Sequence, residues 1–566
     1  MIHFIMRRLF IFSLCSLISV YANTAKIWNI PGTLRETFDN LKLWGDNELI
    51  LSGSINGSDV KVLREWAGGG KTLDLSQCSI VSGGEPYFEN YTTEDDVIGS
   101  YMFADRSFYK LVLPKNLKKI GDYALSYCGE EIAFPATLTW IGDHAFVSNN
   151  FVKLHIPSTI THIGNGAFNG NIMLEQVTLD AENPEFVLEN GYLYSRDHTR
   201  LMAYFASTSS LAESFTINPK VKIIDDKAFN GHRAKNITLN DGLEYIGEEA
   251  FKLVTNIVPH QSKLVIPNSV NYIGAGAFEE CYIDSVIISD NVDNLRDYVF
   301  AGCCIFFIHM PAKLKYIGNK ALCNNIINNL EIPDGVETIG SCAFSRSEVK
   351  HLVVPESVRH IEEECFYYTL IESIEIKAPL EIIPRKAFVG CQMMKKIILP
   401  PTLKIIGESA FSICRELEDC KLPEGLEEIG NYAFEECLHI NEWHIPSSVR
   451  KIEQRAICGD KTHCNVHMYA QEPPADIHEW AFQALSMDNT VLYVPKGSLE
   501  KYNTIVPWSN FGKIHEFDAT SINSPSLNNE RQPVRLYDLG GNQIKSKSRG
   551  LQIAITPDGN AKKIIR

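Results

Sequence analysis

Cys458, His463, Cys464 and His467 crowd one short stretch of the chain, and His444 stands upstream beside Glu442. Thiolates and imidazoles are side chains that hold zinc, and structural sites draw four of them into a tetrahedron. The spacing C-x5-C-x2-H is no familiar ligand ladder. A disulfide between Cys458 and Cys464 closing the loop accounts for the same residues, and so do inert loop residues at the edge of a repeat. No metal ligand is assigned. Elsewhere no phosphate loop, dinucleotide fingerprint or nucleophile elbow stands out. Carboxylates are plentiful, yet nothing sets two of them at the separation glycoside hydrolysis needs. The expectation is a chain without catalytic residues or cofactors, not an enzyme.

Other cysteines point to architecture. Cys128, Cys281, Cys303, Cys391, Cys414 and Cys437 each lie three residues after the Phe or Leu that ends a recurring I-G-x-x-A-F phrase. A residue tied to a repeat register is expected as a small buried core residue rather than half of a disulfide. Aligned on its Ile (once Leu), the phrase recurs at Ile98, Ile120, Ile141, Ile163, Ile224, Ile246, Ile273, Leu295, Ile317, Ile339, Ile361, Ile383, Ile406, Ile429, Ile452 and Ile477. Most steps span 21 to 23 residues, and the step from Ile163 to Ile224 is far longer. A period of this length marks a solenoid.

A second column keeps the same register. Nine and seven residues before the Ile sit apolar pairs such as Leu154 and Ile156, Leu264 and Ile266, Leu330 and Ile332, and Ile397 and Leu399. Residues two apart share one face of a strand. Pro157, Pro267 and Pro333 follow such pairs and close the strand, because Pro has no N–H to donate. Each repeat is therefore a short strand, a Pro turn, a second extended piece ending at I-G, and a compact turn that carries Ala and Phe inward. One unit cannot bury its own apolar face, but stacked units can. Sixteen rungs at the usual strand spacing of ~4.8 Å give a rod or arc about 75 Å long with one continuous core.

LVIPNSVNYIGAGAFEEC (264–281) and LEIPDGVETIGSCAF (330–344) resemble the BspA-like leucine-rich repeat family. The resemblance covers about residues 98 to 517. It implies a mainly β fold with short helical turns: a right-handed leucine-rich-repeat solenoid with a parallel sheet, found on bacterial surfaces with adhesive or binding roles and no catalytic residues. The segment from Gly32 to Ser76 is similar to the family's N-terminal cap, residues 183–205 to its hairpin insertion, and residues 491–517 to its closing segment. VRLYDLGGNQI (534–544) and GLQIAITPDGNAKKIIR (550–566) look like the short C-terminal module of secreted Gram-negative surface proteins, which some relatives use for sorting. The expected organisation is a signal peptide at 1–22, a cap at 23–97, a solenoid at 98–490 with the hairpin at about 180–210, a closing segment at 491–517, a linker at 518–532 and a C-terminal β module at 533–566. Around Ile98 the preceding strand pair is missing, and the insertion SGGEPYFENYTTEDD fills the gap.

Charge and leader bound the function. The formal net charge of −16 argues against a general nucleic-acid binder. Arg7 and Arg8 precede the apolar run LFIFSLCSLISV, and Val20-Tyr21-Ala22 offers a cleavage site. The run is short for a membrane span, and no other segment is a candidate. An exported protein of the cell surface is expected. Its strands present a column between the two core positions that points outward. An open solvated face would carry mostly charge or Thr, but this column mixes Val, Ile, His and Tyr. Val265, Ile287, His309, Val353, Ile398, His444 and Tyr469 are the candidate ligand-binding residues. The expected partner is an extracellular protein, of a host or a neighbouring cell, or a glycan. A face covered by the chain's own loops, or β-branched residues chosen for strand propensity alone, would give the same column.

Overall fold

All sixteen repeat positions close a two-residue strand, from Val97–Ile98 through Tyr272–Ile273 to Asp476–Ile477. The structure is a computed structural model. It describes residues 24–518 apart from 130, 131, 206–210, 255–262, 329 and 461, together with the strands Arg535–Tyr537, Gln543–Ile544, Leu551–Ile555 and Ala561–Ile565. The expected signal peptide and the linker from residue 519 to 532 lie outside the described residues. The short strands stack parallel and in register, Ile120 against Ile141 and Ile406 against Ile429. The fold is a mainly β solenoid of parallel turns.

Where the phrase has its Gly, in ten of the sixteen copies, close approach fixes it. Gly142 N–H donates to Ile120 O at 2.8 Å and Gly274 N–H to Ile246 O at 2.8 Å. A Cβ on Gly274 would meet the preceding rung's backbone at 2.5 Å. Pro384 stands where another rung has this Gly and has no N–H to give. Here the ladder divides, with His360–Ile361 and Ile382–Ile383 in different sheets. The third residue after the Ile then takes left-handed backbone, as in Tyr123 (φ 53°), Lys227 (φ 58°), Tyr298 (φ 59°) and Tyr432 (φ 58°). That reversal swings Ala and Phe inward. Non-Gly residues resist this conformation by roughly 1–2 kcal/mol each, so packing of the rungs must hold it.

The inward Phe rings form a stack along the rod. Phe229, Phe251, Phe278 and Phe300 follow one another at 4.9, 5.2 and 5.4 Å between centroids, nearly parallel. Leu322 interrupts the series, which resumes from Phe344 to Phe434. The cysteine column has a purpose beyond filling space. Cys281 Sγ donates to Phe251 O and Cys303 Sγ to Phe278 O, each at 2.8 Å. At the same place in other rungs Asn325 Nδ2 donates to Phe300 O at 2.9 Å, Ser347 Oγ to Leu322 O at 2.9 Å and Thr369 Oγ1 to Phe344 O at 3.1 Å. In these rungs the position holds a small donor that reaches a carbonyl of the preceding rung, and a thiol serves as one; Val254 and Leu485 fill it elsewhere without a donor. All fourteen cysteines from Cys78 to Cys464 are free thiols, Cys458 and Cys464 included. Burial pushes the thiols of Cys281, Cys303, Cys414 and Cys437 well up from the ordinary range. A thiol reagent at pH 8 is expected to leave these four unmodified in the native protein and to label them in denaturant. Mass-spectrometric mapping that finds Cys414 labelled at the rate of half-buried Cys304 would contradict the arrangement.

The core is not continuous. The buried residues form two clusters, one running from Ala25 to Phe205 and the other from Tyr192 to Phe511. The divider is the insertion after Ile163. It is a three-stranded antiparallel meander, Phe186–Glu189, Tyr192–Ser195 and Arg200–Tyr204, rather than a single hairpin. Its last strand pairs parallel with Ile223–Ile224 and so occupies a place in the ladder. Side chains of the meander divide between the two clusters: Leu193, Met202 and Ala203 join one, and Tyr192, Tyr194 and Leu201 the other. Arg200 locks the meander to the next rung through Asp225, with Nε to Oδ1 at 2.7 Å and Nη2 to Oδ2 at 2.8 Å.

Both ends are closed by local elements. The strands that open the repeats, such as Lys263–Val265 and Ser285–Ile287, pair parallel in a first ladder beside that of the I-G strands. Thr24–Asn29, Glu48–Ile55 and Lys71–Ile80 extend this first ladder to Phe108–Val112, with the helices Leu34–Leu41 and Gly57–Trp66 between them. The strand pair owed to Ile98 is present after all. Leu73 and Leu75 are fully buried, and Leu73 pairs with Leu111 of the following rung. The insertion only displaces the pair upstream, and it is tied down where Tyr87 Oη donates to Ser100 O at 2.9 Å. At the far end buried Tyr502, Trp508 and Phe511 pack over Phe482. The strands described beyond residue 533 form a separate four-stranded antiparallel sheet.

Candidate functional site

Alternation along the first-ladder strands sets the outward column. In Lys263–Val265, Leu264 is buried at 2% exposure while Val265 stands 46% exposed. Register then aligns Val265 with Ile287 and His309 on adjacent strands, and Lys263 with Ser285 and Phe307 beside them. Val353 and Ile398 are 43% and 47% exposed and flank Glu375 in a second sheet. His444 lies in a third. The structure thus brings Val265, Ile287 and His309 together, and separately Val353 and Ile398. Ile287 is only half-exposed.

Tyr469 does not continue the column. The residue paired with His444 is His467, and Tyr469 lies two places further on, just past the end of that strand. Counting back from Ile477 fails because the loop before the last rung is longer. Tyr469 still reaches the site, with its Oη 3.0 Å from His444 Nδ1. Burial, then the Glu424 and Glu442 carboxylates, push its phenol up from the ordinary range. In true register the column runs His444, His467, Tyr493, His515. Rings of His444 and His467 stack at 4.9 Å, and those of His467 and Tyr493 at 4.4 Å. Phe517 stands edge-on to both His467 and Tyr469.

Sequence reasoning missed Tyr493, His515 and Phe517 as members of this face. Their signal was the alternation of VLYVP and KIHEF, which keeps the strand period inside the closing segment. The cluster of Cys458, His463, Cys464 and His467 does not assemble. Both cysteines are buried, while His463 is exposed and bonded to Thr462. Among the described residues no group of three or more His, Cys, Asp or Glu is arranged to hold a metal. Of the tryptophans inside repeats, Trp443 is core at 1% exposure, but Trp140 and Trp480 are exposed. Trp140 has His162 stacked on its ring at 3.4 Å and Lys119 over it at 5.4 Å.

The family model for the BspA type Leucine rich repeat region matches residues 96–188, 202–259, 260–370 and 359–488. The chain belongs to this family. The gap between the first two matches coincides with the meander, and the BspA-type match stops before the closing strands. Among curated proteins none matches the chain significantly. Solved structures similar to this BspA-type chain include a leucine-rich repeat protein from Bacteroides ovatus ATCC 8483, at 21% identity and a TM-score of 0.43, with 76% of this chain and 90% of that one covered. A leucine-rich repeat protein from Eubacterium ventriosum ATCC 27560 shows 19% identity and a TM-score of 0.38 over 73% of this chain and 90% of the other. A leucine rich cell surface protein from Faecalibacterium prausnitzii A2-165 shows 16% identity and a TM-score of 0.24 over 71% and 84%. Among the described residues no helix is long and apolar enough to cross a membrane.

Proposed function

We propose that this BspA-type chain is an exported, non-catalytic cell-surface protein that binds an extracellular protein through the outward face of its first ladder. The observation that carries the reading is the exposure of Val265, Val353 and Ile398 at 43–47%, on strands whose alternate residues are buried. Phe307, at 52%, stands in the neighbouring column. Apolar groups set among polar ones on an extended face suit a protein interface, where a few desolvated side chains dominate the energy. Glycan platforms need free aromatic faces. The rings of Trp140, His467 and Tyr493 have neighbours stacked against them, which favours protein over glycan. In this reading the basic start with its V-Y-A site directs export, and residues 533–566 act as a sorting or surface module.

An array of matrix proteins and glycans probed with the mature chain tests the proposal. A protein ligand should be found. The variant carrying Ile287→Asp, Val353→Asp and Ile398→Asp should lose binding at least a hundredfold while keeping its unfolding temperature within a few degrees, since a charge costs little in solvent and much in an interface. Glycan ligands alone, or undiminished protein binding by the triple variant, would refute it.

A further inference from the structure

Histidine is unevenly placed on this rod. Six of the sixteen histidines stand at outward positions of first-ladder strands: His155, His309, His351, His444, His467 and His515. None takes an inward position of the same strands. Imidazole is the side chain whose charge changes between pH 5 and 8. Three of the six have a carboxylate at hand. Asp180 lies 3.4 Å from His155 Nε2, and Glu442 lies 3.6 Å from His444 Nε2 and 3.0 Å from His467 Nε2. His515 stands in the closing strand Lys513–Phe517, away from the apolar anchors of the face. His309 and His351 are exposed, and among the described residues no carboxylate lies within ion-pair reach of either.

These two also flank the apolar anchors. His309 pairs across the ladder with Ile287 and lies two residues from exposed Phe307. His351 lies two residues before exposed Val353, on the same side of its strand. Its Nδ1 is 2.8 Å from Ser373 Oγ. A hydroxyl donates or accepts, so that contact suits imidazole and imidazolium alike. In the free rod both rings can therefore take up a proton in contact with water. Under a protein seated on Ile287 and Val353 they are withdrawn from water together with the anchors. The other ionisable side chains on nearby outward positions are Lys263 and Glu331 around His309, and Glu375 and Lys396 around His351. Each carboxylate has a lysine to offset it, so neither place offers net negative charge to an imidazolium. We propose that His309 and His351 make this face acid-labile: with both rings neutral it holds its protein partner, and with both protonated it lets go. This rests on the reading of the chain as a protein binder and adds a control to that site. Burying an unpaired charge costs far more than burying a neutral ring that keeps a hydrogen bond. A partner that accepts only the neutral rings competes with protons, so falling pH weakens its binding. Between pH 7.5 and 5.5 the loss reaches about tenfold for each ring, or about a hundredfold for the two.

The array of matrix proteins supplies the probe. Each protein retained at pH 7.5 is titrated against the full chain by surface plasmon resonance at pH 7.5 and 5.5, with thermal melts at both values to show that the rod stays folded. Affinity should fall at least tenfold at pH 5.5. In the double variant His309→Gln, His351→Gln the fall should shrink to within about twofold, whatever its affinity at pH 7.5. Should the double variant bind too weakly to measure, each single variant decides, with about half of the logarithmic loss removed. His360→Gln, exposed on the ladder of I-G strands, should keep the full fall. An array that retains no protein at either pH refutes the protein-binding reading, and this control with it. Retention that changes less than about twofold with pH overturns the control alone. So does tighter binding at pH 5.5, or an equal fall in the wild type and the double variant, which would trace the effect to net charge or to the partner.

Discussion

Phe344→Ala is expected to cost roughly 3–5 kcal/mol of unfolding free energy, the range for deleting a fully buried aromatic ring. Phe344 is 0% exposed and stacks on Phe366 at 5.5 Å. Its other axial neighbour is Leu322, which is smaller than a ring and cannot spread to fill the space. The backbone cannot close the gap either, because Phe344 N–H donates to Cys365 O at 3.0 Å and Phe344 O accepts from Thr369 Oγ1 at 3.1 Å. Thermal unfolding should shift down by many degrees. Rungs in a solenoid touch only their neighbours, so hydrogen exchange should rise first between Ile317 and Ile383. An unchanged melt, with exchange unaltered in that interval, would show that the A-F column is not the load of the core.

Leu193→Asp and Leu201→Asp should damage opposite halves of the rod. Both residues are 0% exposed, yet Leu193 faces the cluster that begins at Ala25 and Leu201 the cluster that ends at Phe511. An unpaired carboxylate in an apolar core costs several kcal/mol, or neutralises at a similar cost. Leu193→Asp should loosen the rungs from Ile98 to Leu174 and spare those beyond Phe215. Leu201→Asp should do the reverse. Hydrogen–deuterium exchange resolved by peptide reads the two patterns directly. The same pattern in both variants would mean that the meander does not divide the core.

The repeat register was legible because it is written in side chains that every rung must supply. The apolar Ile (once Leu) recurs in every copy, and Gly, Ala and Phe in most, so all sixteen strand ends fall at the expected residues. Burial of the cysteine column was legible for the same reason. Its hydrogen bonds were not, since only the structure shows that Asn325, Ser347 and Thr369 occupy the same place. The meander was read as a single hairpin. Tyr192, Leu193 and Tyr194 are all buried, and a strand buried on both faces loses the alternation that marks its neighbours. On the outward face Val265, Val353 and Ile398 could be read from alternation. Tyr469 was misplaced because the count ran backwards across a loop of different length.

The acceptor in the donor column is always a main-chain carbonyl, as for Cys303 on Phe278 or Ser347 on Leu322. Any residue offers a carbonyl, so a rung bonds to the one before it regardless of which one that is. The Gly ladder has the same indifference, Gly318 donating to Leu295 O as Gly340 donates to Ile317 O. A stretch of gene encoding one whole turn could therefore be duplicated or lost in frame, and the turns newly brought together would still bond. The rod can change length across generations in whole steps while both ends keep their closures. The meander has no such freedom. Its Tyr192 and Tyr194 hydroxyls accept from the N–H groups of Thr216 and Asn218, and its two faces must each fit a different core. Unequal exchange within the array can add or remove turns on either side of it, but only the array's turns are interchangeable currency; the divider is inherited whole.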